Sequence, residues 1–184
     1  ETDTETNEAA YALGRRYSRS ENHDTFVQEY EQRAGITISE LTVDGLNTAK
    51  ACMKLNFRKP VDSGGDFLYI CPTIVPFIEK NPFTSQKRQL PVEFSYPYRY
   101  RIIVSLMLPE GYTVEELPKS QRLSACDEGI ACTMQLQQQG ALMQCLFEFD
   151  LSRIIFPATE YTDLSAFYGF VMDMCNSRIV LKKS

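Results

Sequence analysis

Between Tyr98 and Leu108 the chain alternates strictly. Tyr98, Tyr100, Ile102, Val104, Leu106 and Leu108 share one face; Arg99, Arg101, Ile103, Ser105 and Met107 share the other. A side-chain period of two belongs to a strand with one buried face. The same period recurs in Ala51, Met53, Leu55 and Phe57, with Cys52, Lys54, Asn56 and Arg58 between them. It returns in Cys132, Met134 and Leu136, then in Met143, Cys145, Phe147, Phe149 and Leu151, where Gln144, Glu148 and Asp150 face out. The tip Gln137-Gln138-Gln139-Gly140 between these two runs reads as a polar hairpin turn.

Helical spacing is confined to the ends. Residues 7–18 carry Ala10, Leu13 and Tyr17, and a second helix presents Phe26, Val27, Tyr30 and Ala34, with Ser20 as its N-cap and Gly35 as its stop. A last helix over about 159–175 offers Leu164, Phe167, Tyr168, Val171 and Cys175, and RIVLKK closes the chain as a short strand. Between the ends, ITISELTV (36–43) leads to the turn signal Asp44-Gly45. FLYICPTIV is an apolar run broken by Pro72, and NPFTSQKRQLPVEF, punctuated by Pro82 and Pro91, suits an edge or crossing segment. Pro109-Glu110-Gly111 predicts a tight reversal that sets register between two strands, with Gly111 at positive φ. Tyr112 and Leu117-Pro118 anchor its return.

The fold class that follows is mainly β (α+β): an antiparallel β-sandwich-like domain with N-terminal helices and one C-terminal helix. Its segments are a helical lead-in over 1–35, after a mobile acidic start ETDTETNE, and the sandwich-like domain over 36–184.

Bulk properties narrow the partners. The 184 residues include 43% hydrophobic residues, enough to bury a core, and no apolar run reaches the ~20 residues of a membrane span. A formal net charge of -5, with no Lys/Arg cluster longer than a pair, removes the driving force for nucleic-acid binding. The chain opens at Glu1 without a signal peptide and reads as a piece of something longer.

No motif announces chemistry. Cys52, Cys71, Cys126, Cys132, Cys145 and Cys175 lack zinc spacing and read first as small core residues. Cys126 and Cys132 flank the turn Asp127-Glu128-Gly129 and invite a disulfide, but alternation sets them on opposite faces, so pairing would need a bulge. His23 reads as a solvated surface residue without a fixed partner and with no cysteine near it in sequence. Glu115 and Glu116 point to opposite strand faces, and Asp62-Ser63-Gly64-Gly65-Asp66 lacks calcium-loop spacing, leaving a flexible turn. Gly64-Gly65 lacks the Lys-Ser/Thr of a phosphate loop. The series Tyr96, Tyr98, Tyr100 could form a sugar-stacking platform, but strict period two favours packing. The expectation is no catalytic residue, no cofactor and no metal ligand.

One longer stretch carries a resemblance. Asn81-Pro82-Phe83, Arg88, Pro91-Val92, Phe94 and Pro109 through Ser120 resemble the β-rich C-terminal domain of secreted transglutaminase-like proteins of Gram-negative bacteria. The similarity continues through Phe156-Pro157, Glu160-Tyr161, Leu164, Phe167-Tyr168 and Ile179-Val180-Leu181-Lys182-Lys183. It implies a non-catalytic accessory domain, periplasmic or at the cell surface, whose partner is a Cys-His-Asp core in the same polypeptide. No residue of that core is present here. The six cysteines depart from the family's habit of few, and Cys132 stands where the family favours an aromatic residue. The alternative from another class is a cell-surface glycan- or peptide-binding module, which would need an exposed aromatic cleft. A cysteine enzyme in its own right stands third.

Overall fold

A computed structural model describes residues 2–6, 8–74, 77–78 and 80–184. The chain forms two compact units, residues 1–60 and 61–184. The first contains β1 (Thr2–Thr6), α1 (Glu8–Arg19), α2 (His23–Ala34), β2 (Thr37–Asp44) and β3 (Lys50–Arg58). Its three strands form an antiparallel sheet in the order β1-β3-β2.

The alternation in β3 works as the sequence requires: Ala51, Met53 and Leu55 are buried against Ala10, Leu13, Phe26, Ile36 and Leu41. The sheet therefore supplies the apolar surface that each helix stripe needs. Strands β2 and β3, read from sequence as the start of the sandwich-like segment 36–184, thus pack with the helices. The acidic start, expected to be mobile, instead pairs with β3 from Thr2↔Lys54 to Thr6↔Lys50. Threonines at alternate positions suit an extended edge, and β3 offers it a row of backbone partners. Residues 1 and 7 of that acidic stretch lie outside the described residues. The cap of α2 also moves. Asn22 Oδ1 accepts the Thr25 N–H at 2.9 Å, while Ser20 Oγ donates to Glu29 Oε2 at 3.0 Å. Gly35 ends the helix as foreseen, in the left-handed region with φ 63°.

The second unit continues with β4 (Asp62–Gly64), β5 (Phe67–Ile70), β6 (Val92–Glu93), β7 (Tyr98–Met107), β8 (Tyr112–Glu116), β9 (Gln121–Ala125), β10 (Ile130–Gln139), β11 (Leu142–Leu151), β12 (Ile155–Phe156), α3 (Tyr161–Asn176) and β13 (Ile179–Lys183). Two four-stranded antiparallel sheets result, β7-β11-β10-β9 and β4-β5-β13-β8, with β12 pairing β6 apart from them. The foreseen mainly antiparallel class holds, with a single C-terminal helix. The hairpin forms, but its tip is shorter than the Gln137–Gly140 read from sequence. Gln137, Gln138 and Gln139 belong to β10, which pairs with β11 from Gln139↔Leu142 to Ile130↔Leu151, and the reversal falls at Gly140, with φ 58°.

The inner face of β11 organises this unit. Met143, Cys145, Phe147, Phe149 and Leu151 are all buried. At one end Met143 meets Ile179 and Leu181 of β13 and Leu68, Ile70 and Val114 of the second sheet, which makes a sandwich. Along the rest, Phe147, Phe149 and Leu151 pack with Leu164, Phe167, Tyr168 and Val171 of α3. One face is thus covered by a sheet at one end and by a helix elsewhere. On the opposite face Arg99 pairs with Asp150 and Arg101 with Glu148, directly across the β7–β11 register. Exposed pairs of this kind contribute at most about 1 kcal/mol each.

The Pro109–Tyr112 turn forms, but it does not join a hairpin. Gly111 has φ 78° and the Tyr112 N–H reaches Pro109 O at 3.2 Å, as the sequence demands. Yet β7 pairs only β11 within its sheet, and β8 pairs β13. The turn carries the chain from one sheet to the other, and the register reading is corrected accordingly. The Ser184 N–H donates to Gly111 O at 2.7 Å, tying the end of the chain to this crossing.

Two variants check these assignments by equilibrium urea unfolding. Gly111→Val places a β-branched residue at positive φ and should cost about 1–3 kcal/mol. Phe147→Ala should cost about 3–5 kcal/mol by opening a cavity beneath α3. Unchanged midpoints would contradict both placements.

Candidate functional site

A nucleophilic site needs a thiolate, a base and an orienting group close together. The six thiols are all free, which removes the Cys126–Cys132 bridge. The reason is topological: β9 ends at Ala125, so Cys126 lies in the turn, while Cys132 pairs with Leu123 inside the sheet. The turn itself is tighter than its Asp-Glu-Gly sequence suggested. Cys126, Asp127 and Glu128 take φ values of 54°, 53° and 62°, and the Gly129 N–H returns to Cys126 O at 3.0 Å.

Three of the six thiols, Cys132, Cys145 and Cys175, sit in the core. The Cys132 thiol donates to Met174 Sδ at 3.8 Å, and burial pushes its pKa up to about 12. Burial likewise raises Cys145 to about 11 and moves Cys175 upward. Cys71 donates to the Cys175 carbonyl at 3.3 Å and lies 3.4 Å from Thr73 Oγ1. Cys52 sits half-buried on β3, at 3.9 Å from Thr4 Oγ1. Burial in apolar surroundings disfavours the thiolate at Cys132, Cys145 and Cys175.

The Cys126 thiol lies beside Glu160 and Arg153, a cluster that no spacing rule in the sequence announces. Glu160 pairs with Arg153, whose guanidinium lies 4.6 Å from the Phe156 ring centroid. Burial, followed by the Glu160 carboxylate, raises Cys126 to about 11, and Arg153 offsets this only in part. A carboxylate beside a thiol disfavours the thiolate, the reverse of activation.

His23 opens α2 and is exposed as foreseen, but it has a partner. Its Nδ1 lies 2.9 Å from the Tyr17 hydroxyl. Of the cysteines, only Cys52 belongs to the same unit as His23. Asp62 through Asp66 is a β4–β5 hairpin rather than a flexible turn, with Gly65 at its tip. Glu115 and Glu116 are exposed on β8. Among the described residues, no group of three or more His, Cys, Asp or Glu could hold a metal ion. No helix among them is long and apolar enough to cross a membrane.

The tyrosine series packs rather than forming a platform. Tyr98 stacks on Phe149 at 5.7 Å and Tyr100 on Phe77 at 4.7 Å, while Tyr96 meets the edge of Tyr98. Burial raises the phenols of Tyr98 and Tyr168. The Asn-Pro-Phe motif also acquires a structural role. Asn81 Nδ2 donates to Ser165 O at 2.9 Å, Ser165 Oγ donates to Phe83 O at 2.9 Å, and the Phe83 ring packs edge-on to Tyr161 and Tyr168.

With this geometry in place, the comparisons define the class. Residues 66–181 match the family described as "Domain of Unknown Function with solved-structure structure (DUF3858)", and the chain belongs to it. No curated protein matches. A solved structure described as a "putative protease" from Parabacteroides distasonis is similar at TM-score 0.51 and 16% identity. That similarity covers 63% of this chain and 23% of the other, so the chain spans under a quarter of that protein's length.

The raised thiols predict a pH dependence of stability. A folded-state pKa above the unfolded one means that the native state holds its proton more tightly. The contribution is complete below the unfolded value and is lost as pH rises through the folded value. For Cys132 that window runs from about 9 to about 12. Urea midpoints should therefore fall across this range more steeply in the native sequence than in Cys132→Ala; equal slopes would contradict the assignment.

Proposed function

We propose that the DUF3858 segment is a non-catalytic accessory domain of a larger, secreted, transglutaminase-like protein, where it supports or positions a separate Cys-His-Asp core. The observation that carries this reading is the set of thiols at Cys126, Cys132, Cys145 and Cys175, whose pKa values are all pushed upward. A cysteine nucleophile requires the opposite shift. The resemblance motifs support it too. Asn81-Pro82-Phe83 braces α3, and Pro109–Tyr112 passes the chain between sheets, so both act in building the fold. Similarity to part of a longer structure described as a protease agrees with a module that accompanies other domains. On this reading the domain works outside the cytoplasm, at the cell surface or in the periplasm.

The test uses the full polypeptide, assayed for joining glutamine to amines and for peptide hydrolysis. Activity should survive replacement by serine of each cysteine in residues 61–184 and fall when that segment is deleted. Loss of turnover on a single such replacement, with folding intact, would overturn the accessory role. A full polypeptide inactive in both assays would overturn the transglutaminase-like assignment.

A further inference from the structure

The arginines of α1 carry an inference independent of the second unit. Positions 12, 15, 16 and 19 are spaced i, i+3, i+4 and i+7, so they share one helix face. Ala12, Arg15, Arg16, Arg19 and Ser20, with Glu29 of α2, line a cleft of about 440 Å³. That volume lies in the range of small-molecule sites, roughly 300–1,000 Å³. Arg15 and Arg19 against the one carboxylate of Glu29 leave the lining positively charged without counting Arg16. This occurs in a chain whose formal net charge is -5.

The carboxylate does not neutralise its neighbours. Glu29 instead accepts a hydrogen bond from the Ser20 hydroxyl at 3.0 Å, and among the described residues Arg15 and Arg19 make no ion pair. Arg16 is held with its guanidinium carbon 5.9 Å from the Phe26 ring centroid. Cations in a last helical turn are ordinarily explained by the macrodipole, and Arg16 and Arg19 occupy that turn. That explanation does not reach Arg15, which immediately precedes that turn, nor the concave space that the three share. Guanidinium forks match the geometry of tetrahedral oxyanions, and a phosphate monoester carries about -1.5 to -2 charges near neutrality.

We propose that the cleft between α1 and α2 binds a dianionic phosphoryl group, with Arg15 and Arg19 as its ligands. The group could arrive as free phosphate or as a small phosphate monoester, and the experiment separates the two. The chain is titrated with inorganic phosphate and with methyl phosphate at constant ionic strength, and amide NMR shifts are followed. Saturable shifts confined to residues around 12–29 are expected, weakened about tenfold in Arg15→Gln/Arg19→Gln with its circular dichroism unchanged. Tighter binding of methyl phosphate assigns the ester; tighter binding of inorganic phosphate assigns the free ion. Should the double variant lose helix, the exposed single change Arg15→Gln carries the comparison, with weaker binding still expected. Linear shifts without saturation, equal shifts with chloride, or unchanged affinity in a folded variant would overturn the site.

Discussion

Strand β11 is hydrogen-bonded on both sides, to β7 and β10, and sends Met143, Cys145, Phe147, Phe149 and Leu151 to a single face. That face must be covered along its whole length, because each exposed aliphatic or aromatic side chain would forfeit about 1.5–3 kcal/mol. No one element of the unit does this. The second sheet covers the Met143 end, and α3 covers Phe147 through Leu151. The path of the chain follows from this division of labour. The Pro109–Tyr112 turn must leave the first sheet, and the last strand must return to the middle of the second, where β13 lies between β5 and β8.

The same constraint accounts for the chemistry of the unit. Cys132, Cys145 and Cys175 are drawn into the core because a thiol fills a small apolar space, and burial then raises its pKa. The tyrosines follow the same logic: Tyr98 stacks on Phe149, Tyr168 packs edge-on to Phe83 and Phe149, and burial raises both phenols. In these five side chains, residue types that elsewhere perform catalysis are used for packing.

What could be read from the sequence was whatever depends on near neighbours. Alternation placed the buried residues of β3, β10 and β11 on the correct face, and Gly35, Gly111 and Gly140 marked backbone reversals that need positive φ. Partners distant in sequence were illegible. A Pro-Glu-Gly turn has the same local chemistry whether its flanking strands pair with each other or with other strands, and the partner of β8 arrives only at Ile179–Lys183. Strand β1 was missed because it has no apolar face and forms by edge pairing with β3. Asn22 displaced Ser20 as the cap because both can accept an N–H, and only geometry chooses. The arginine cleft was hidden in RRYSRS, where a pair plus one looks like scattered charge until helical spacing gathers it beside Glu29.

Native-state hydrogen exchange tests the central role of β11 most directly. If its inner face holds the unit together, the amides of Met143–Leu151 should exchange only through global unfolding, together with those of Leu164–Cys175 on α3. Both sets should then report the same free energy as urea denaturation. Faster exchange of the β11 amides through local opening, while α3 or β13 stayed protected, would contradict the account.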